Sequence, residues 1–168
     1  YLLMAIDQGI TGLQYLGLDY GAQVGCILVN MEGEIISRAH NHISKGVRKH
    51  AEEIILSDLV EVDLSGTTLY LTIEPCNGNP FHERKHCCEQ IVEAGIGRVV
   101  LGSFKAIHQG GADYLRRQGV EVDMLENEGL NSLCALLTAN GKQGGKIHPR
   151  TYNHILNIRN GILMQRPY

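Results

Sequence analysis

"TTLYLTIEPCNGNPFHERKHCCEQIVEAGIGRVVLGS", residues 67–103, is the stretch that decides the architecture. TTLYLTI is rich in β-branched and aromatic residues and predicts a strand that ends at EPC. Cys88, Ile91, Val92 and Ala94 follow at helical spacing, and Gly95 stops the helix. RVVLGS predicts a second strand. A strand, a helix and a strand in that order require a crossover connection, which makes the two strands parallel and lays the helix on the sheet.

The pattern extends in both directions. Upstream, Leu2, Leu3, Ile6, Ile10, Leu13 and Leu16 form one apolar helical stripe, weakened by Gly9, Gly12 and Gly17. QVGCILVN is a buried strand, NMEG a turn and EIISRAH the hairpin partner, while NHISKGVRK reads as a polar loop. A helix follows from His50, with Ala51, Ile54, Ile55 and Leu59 on its apolar face. Downstream, GADYLRRQG is a helix, VEVDML a strand, and ENEGLNSLCALLTAN a helix with Leu130, Leu133, Leu136 and Leu137 inward. The order predicts a three-layer α/β/α sandwich with a five-stranded mixed sheet over residues 1–139. Residues 140–168 begin glycine-rich and basic, as a linker does, and continue as an arm carrying Tyr152, Ile155, Leu156, Ile158, Ile162 and Leu163. Those apolar residues want a surface, and the expectation is a neighbouring subunit, hence a homo-oligomer joined through this C-terminal arm.

With 168 residues the chain holds one well-buried domain. A net charge of -3 gives no overall pull toward nucleic acid or an anionic membrane, and no apolar run reaches the roughly 18 residues of a membrane span. The first ten residues lack a basic leader and a small-residue cleavage site, so no signal peptide is expected. Five cysteines are an odd number, and they do not read as a disulfide framework. A reducing, cytoplasmic setting follows, in which clustered cysteines serve as ligands or nucleophiles.

Three of the five cysteines, Cys76, Cys87 and Cys88, lie in the opening stretch. Thiolates plus one imidazole make a tetrahedral zinc site, and three protein ligands leave a fourth position for water. Cys76 ends a strand and the Cys87–Cys88 pair opens a helix, where the helix N-terminus favours thiolate charge. The third ligand must come from another element, and His50 starts the preceding helix, with Glu52 two residues on. Each piece is common alone; "HAE" at a helix start, "EPC" after the next strand and Cys at the next helix start are a strong signal together.

These residues resemble the zinc-dependent cytidine/deoxycytidylate deaminase superfamily and, within it, the deaminase domain of the riboflavin-biosynthesis deaminase/reductases. The likeness runs from about Leu2 to Met124 through VGC, HAE, TIEPC and IVEAGIGRVVLGS. It implies one zinc ion per chain on His50, Cys76 and a second cysteine. The family places that cysteine nine residues before the apolar residue after "AG"; counting back from Ile96 selects Cys87 and leaves Cys88 as a core residue. It also implies that zinc acidifies a water toward a pKa of about 7, while Glu52 carries a proton from it to the ring nitrogen and the departing amine. Glu53 is expected to serve the helix dipole and Glu74 to tie down the Pro75 turn.

The chain departs from the family pattern in having ten residues, NGNPFHERKH, between the cysteines and no Asn-Pro before its first strand; a stand-alone deaminase without the reductase domain of the bifunctional enzymes is the expectation. Asn41 resembles the asparagine that contacts the nucleoside in deoxycytidylate and tRNA-adenosine deaminases. SKGVRKH and FHERKH each lead into a ligand, so Lys45, Arg48, Lys49, Arg84 and Lys85 are expected to rim the site and favour an anionic small-molecule heterocycle. Phe81 is a candidate to cover the ring and His82 to stack on or hydrogen-bond it. A polynucleotide deaminase is the alternative; low aromatic content and the absence of Trp weigh against it. A zinc-stabilised binding protein without catalysis is a further one, and Glu52 weighs against that.

Overall fold

The computed structural model describes residues 1–16, 22–44, 46–78, 85–104, 110–138 and 149–164. In the stretch that opens the sequence argument, β5 (Thr68–Leu71) and β6 (Arg98–Leu101) pair in parallel, with Leu69 beside Val99 and Leu71 beside Leu101. Helix α3 (Cys87–Glu93) crosses between them. The hairpin strands β1 (Gly25–Val29) and β2 (Ile35–His40) are antiparallel, and β1 also runs antiparallel to β5. With β7 (Glu121–Met124) parallel to β6, the five-stranded mixed sheet has the order β2-β1-β5-β6-β7.

Alternate residues of the strands supply two cores. Cys26 and Leu28 of β1 face one side, together with Leu69, Leu71, Val99 and Leu101. They pack on Ala51 and Ile55 of α2 (Ala51–Asp58), Cys88 and Ile91 of α3, and Ala112 and Leu115 of α4 (Gly111–Arg117). Ile27 and Val29 face the other side, where α1 (Leu2–Leu16) and α5 (Glu128–Thr138) contribute Leu2, Ile6, Leu13, Leu133 and Leu137. Three layers result, as the alternation of elements predicts. Gly9 and Gly12 allow α1 a close seat on the segment leading into β1 and on α5, while Gly17 lies outside the described residues. A Cβ on Gly9 would meet Leu137 Cδ1 at 3.2 Å, and one on Gly12 would meet Gln23 Oε1 at 3.0 Å.

Two expectations change. Within NHISKGVRK the chain forms a two-stranded antiparallel ribbon, β3 (His42–Ser44) and β4 (Val47–Lys49), rather than a loop. Gly46, at φ 79°, takes the left-handed turn between them. Main-chain pairing builds such a short polar ribbon, which leaves little side-chain alternation to detect. The C-terminal arm is a helix, α6 (Pro149–Met164), whose stripe packs on its own chain. Ile155 is fully buried among the α1 and α5 side chains, and Tyr152, Leu156, Ile158 and Ile162 pack against the same core. Arg159 clasps Asp7 of α1 through two bonds, Nε–Oδ1 at 2.9 Å and Nη2–Oδ2 at 3.0 Å. Periodicity reports an apolar face without reporting what will cover it. Among the described residues no helix is long and apolar enough to cross a membrane.

Candidate metal centre

Helices α2 and α3 bring their N-termini together on one side of the sheet. His50 is the N-cap of α2, and Cys87 is the first residue of α3. Both helix starts are held alike: Glu53 Oε2 accepts the His50 N–H at 2.6 Å, and Glu89 Oε2 accepts the His86 N–H at 3.1 Å. Glu53 thus serves the helix start. Cys76, beyond β5, comes between them, its sulfur accepting the Cys87 N–H at 3.3 Å. Cys88 Sγ turns the other way, to the carbonyls of Pro75 and Gly111 at 3.8 and 3.6 Å, and is fully buried. A Cβ on Gly111 would run into the Pro75 carbonyl, so the ligand loop and the start of α4 pack together only with glycine at that position.

The ligand atoms of His50, Cys76 and Cys87 all lie within 4.8 Å of one another. His50 Nδ1 is 3.2 Å from Cys87 Sγ and 3.7 Å from Cys76 Sγ. Tetrahedral zinc, with Zn–S of about 2.3 Å and Zn–N of about 2.0 Å, sets its ligand atoms roughly 3.5–3.8 Å apart. Two sulfurs and one imidazole nitrogen at these separations fit a single zinc ion and leave one position open.

The same proximity biases the protons. The hydrogen bond with the Cys87 side chain, reinforced by His50, holds the Cys76 thiol down to about 3. Cys87 is pushed up by its bond with Cys76, by burial and by the nearby Glu52 charge. His50 is raised by its hydrogen bond to Cys76, against the effect of burial. The thiolate form is therefore favoured at Cys76, whereas Cys87 favours its protonated form and ligates a metal only on losing that proton.

A cavity of about 170 Å³ adjoins the cluster, lined by Ala22, Val24, Asn41, Arg48, His50, Glu52, Ile73, Glu74 and Cys76. Glu52 is only 3% exposed. Asn41 is buried with its amide engaged: Oδ1 accepts the Val24 N–H at 2.9 Å, and Nδ2 donates to the Ala22 carbonyl at 2.9 Å. Arg48, half-buried, also donates to the Ala22 carbonyl, and burial lowers its pKa. Lys49 and Lys85 are exposed and do not line the cavity; Lys85 Nζ holds Glu93 at 2.7 Å. Lys45, Phe81, His82 and Arg84 lie outside the described residues.

Sequence reasoning missed the cavity role of Glu74. Instead of tying down the Pro75 turn, its Oε1 accepts the Ala112 N–H at 2.9 Å, fastening the start of α4. Its place directly after a strand, two residues before a ligand, was the available signal.

Comparison with known proteins agrees with this geometry. The profile of the cytidine and deoxycytidylate deaminase zinc-binding region matches residues 14–103, more than half of the chain. The riboflavin biosynthesis protein RibD of Actinobacillus pleuropneumoniae is 38% identical over 103 residues, 59% of this chain and 26% of that protein. A tRNA-specific adenosine deaminase of Bacillus subtilis is 32% identical over 114 residues, 64% of this chain and 61% of the relative. The chain thus spans less than two thirds of either relative. A crystal structure of a Thermotoga maritima diaminohydroxyphosphoribosylaminopyrimidine deaminase/5-amino-6-(5-phosphoribosylamino)uracil reductase superposes with a TM-score of 0.66 at 26% identity, over 84% of this chain and 41% of that one. With the His-Cys-Cys cluster assembled at two helix starts and the profile matched across it, the chain belongs to the family of the cytidine and deoxycytidylate deaminase zinc-binding region.

Proposed function

We propose that the protein is a zinc-dependent hydrolytic deaminase that replaces an exocyclic amine of a small phosphorylated aminopyrimidine by a carbonyl and releases ammonia. One observation carries the reading: a buried carboxylate, Glu52, shares a cavity with His50 and Cys76 of the metal cluster. A purely structural zinc site has no use for such a group. When bound, zinc supplies the Lewis acidity that makes water reactive near neutral pH. Glu52 takes a proton from the attacking water and delivers it to the ring nitrogen. It then takes the proton of the hydroxyl formed on the ring carbon and passes it to the departing amine as the C–N bond breaks, so that water and the amine become carbonyl and ammonia. Ile73 and Val24 wall the cavity with apolar surface, which strengthens this charge handling.

The volume of about 170 Å³ is below the roughly 300–1,000 Å³ of pockets for drug-sized ligands, so a single ring enters and the rest of the substrate stays outside. Arg48 is the cation for that outer part, with Asn41 holding the 22–24 wall against it. Lys45, Lys49, Phe81, His82 and Arg84 belong to the proposal as the surrounding rim, whereas Lys85, held by Glu93, does not. The likeness to RibD proteins favours the riboflavin-pathway pyrimidine over other amino-heterocycles. The likeness to a tRNA-specific adenosine deaminase supports the second reading, a polynucleotide substrate. We also infer a cytoplasmic enzyme with a deaminase domain over residues 1–139. Copies would associate through the C-terminal arm, where Leu163 and Met164 at the end of α6 are exposed.

The test is ammonia release from a panel of phosphorylated aminopyrimidines, cytidine nucleotides and tRNA, with Glu52→Ala as the control. Release from the pyrimidines, reduced about 10²–10⁴-fold in the variant, is the expected result. Release from tRNA alone, with a steep salt dependence, would favour the second reading.

A further inference from the structure

The cavity lining includes a second acidic residue, Glu74, that the mechanism above does not use. Glu74 is 1% exposed; Oε1 is bonded to the Ala112 N–H at 2.9 Å, and Oε2 is buried with no hydrogen-bond partner among the described residues. Buried polar atoms are almost always satisfied, because desolvation without a partner is costly. Fastening α4 accounts for one oxygen and leaves the other unexplained. Neighbouring groups have other work. Asn41 bonds the Ala22 and Val24 main chain, Arg48 bonds the Ala22 carbonyl, and Glu52 is assigned to proton transfer.

We propose that Glu74 is a specificity-determining residue whose second carboxylate oxygen accepts a hydrogen bond from the free amino group of the heterocycle that is not hydrolysed. The proposal rests on the deaminase reading and sharpens its substrate class. A carboxylate accepts and does not donate, so it rewards a ring that still offers donors once the reacting amine is set aside. A diaminopyrimidine bearing a substituted amino group does so. A cytosine ring, whose further polar atoms N3 and O2 are acceptors, does not. A site built around a buried acceptor rejects the analogue that leaves it unpaired, and this discrimination exceeds what an apolar pocket achieves for one small group.

The experiment compares diaminohydroxyphosphoribosylaminopyrimidine with the analogue carrying hydrogen in place of its non-hydrolysed amino group. Both kcat/KM and calorimetric affinity are measured, on zinc-loaded wild type, Glu74→Gln and Glu74→Met. Wild type is expected to prefer the diamino compound by about tenfold to a hundredfold. Glu74→Gln keeps an acceptor for the Ala112 N–H and replaces the second oxygen with a donor; Glu74→Met removes both. The preference should collapse toward unity in each variant, with zinc content unchanged. An undiminished preference in a folded variant would overturn the proposal and leave Glu74 as an anchor for α4. If neither variant folds, wild type decides, and equal treatment of the two compounds overturns it. Calorimetric discrimination without ammonia release would sink the deaminase reading while leaving Glu74 as the donor-sensing group.

Discussion

Arg48 and Lys85 stand in the same place in two basic stretches, each two residues before a member of the His-Cys-Cys cluster, His50 or Cys87. The structure treats them differently. Arg48 lies in β4, between the exposed Val47 and Lys49, so strand alternation turns it alone toward the cavity. There it touches the Ala22 carbonyl. Lys85 precedes the N-cap of α3, and its Nζ reaches Glu93 on the outer surface of that helix. A basic residue beside a ligand is therefore a site residue only where the local backbone points it there. A hydrogen-bonded ribbon provides that direction; the approach to a helix start does not.

This contrast can be tested at three levels. The largest effect belongs to the ligands into which the two stretches lead. His50→Ala and Cys87→Ala should each lose the zinc and all measurable activity. Cys88→Ala should keep about one zinc per chain by elemental analysis and lose only about 1 kcal/mol of packing. Metal loss from the Cys88 variant alone would reverse the ligand assignment. Next comes Arg48. Arg48→Ala should raise KM for a phosphorylated substrate about tenfold or more, since charge-assisted bonds to phosphate are the stronger kind, and Arg48→Lys should recover part of it. Lys85→Ala should leave KM and Tm unchanged; a KM effect matching that of Arg48 would erase the distinction. The smallest effect is a pH dependence. The Cys76 thiol is held low by its bond with Cys87, whereas Cys87 is pushed up and favours its protonated form, so ligation by both sulfurs displaces a proton. Zinc affinity should accordingly fall as pH falls, with about one or two protons released per ion in weakly buffered titrations. Affinity independent of pH would contradict the proton placement.

The two helix starts also differ from the opposite layer of the molecule. The α2–α3 side is built around polar ends that converge, so its ligands could be counted from HAE, EPC and the cysteine pair. The α1–α5–α6 side is built from apolar stripes, and a stripe names no partner. Ile155 and Ile162 have helical spacing whether they meet α5 of the same chain or another copy, and the Arg159–Asp7 clasp joins residues at opposite ends of the chain.

From the residues alone came the alternation of strands and helices, the parallel β5–β6 pair, and the imidazole and sulfurs at element ends. Short-range periodicity and ligand chemistry are local properties, written into spacing. The direction of Arg48, the return of α6 to its own chain and the half-satisfied carboxylate of Glu74 were decided by tertiary structure. Each depends on which surface lies opposite a side chain, and that surface comes from residues distant in the chain: Ala22 for Arg48, Asp7 for Arg159, Ala112 for Glu74.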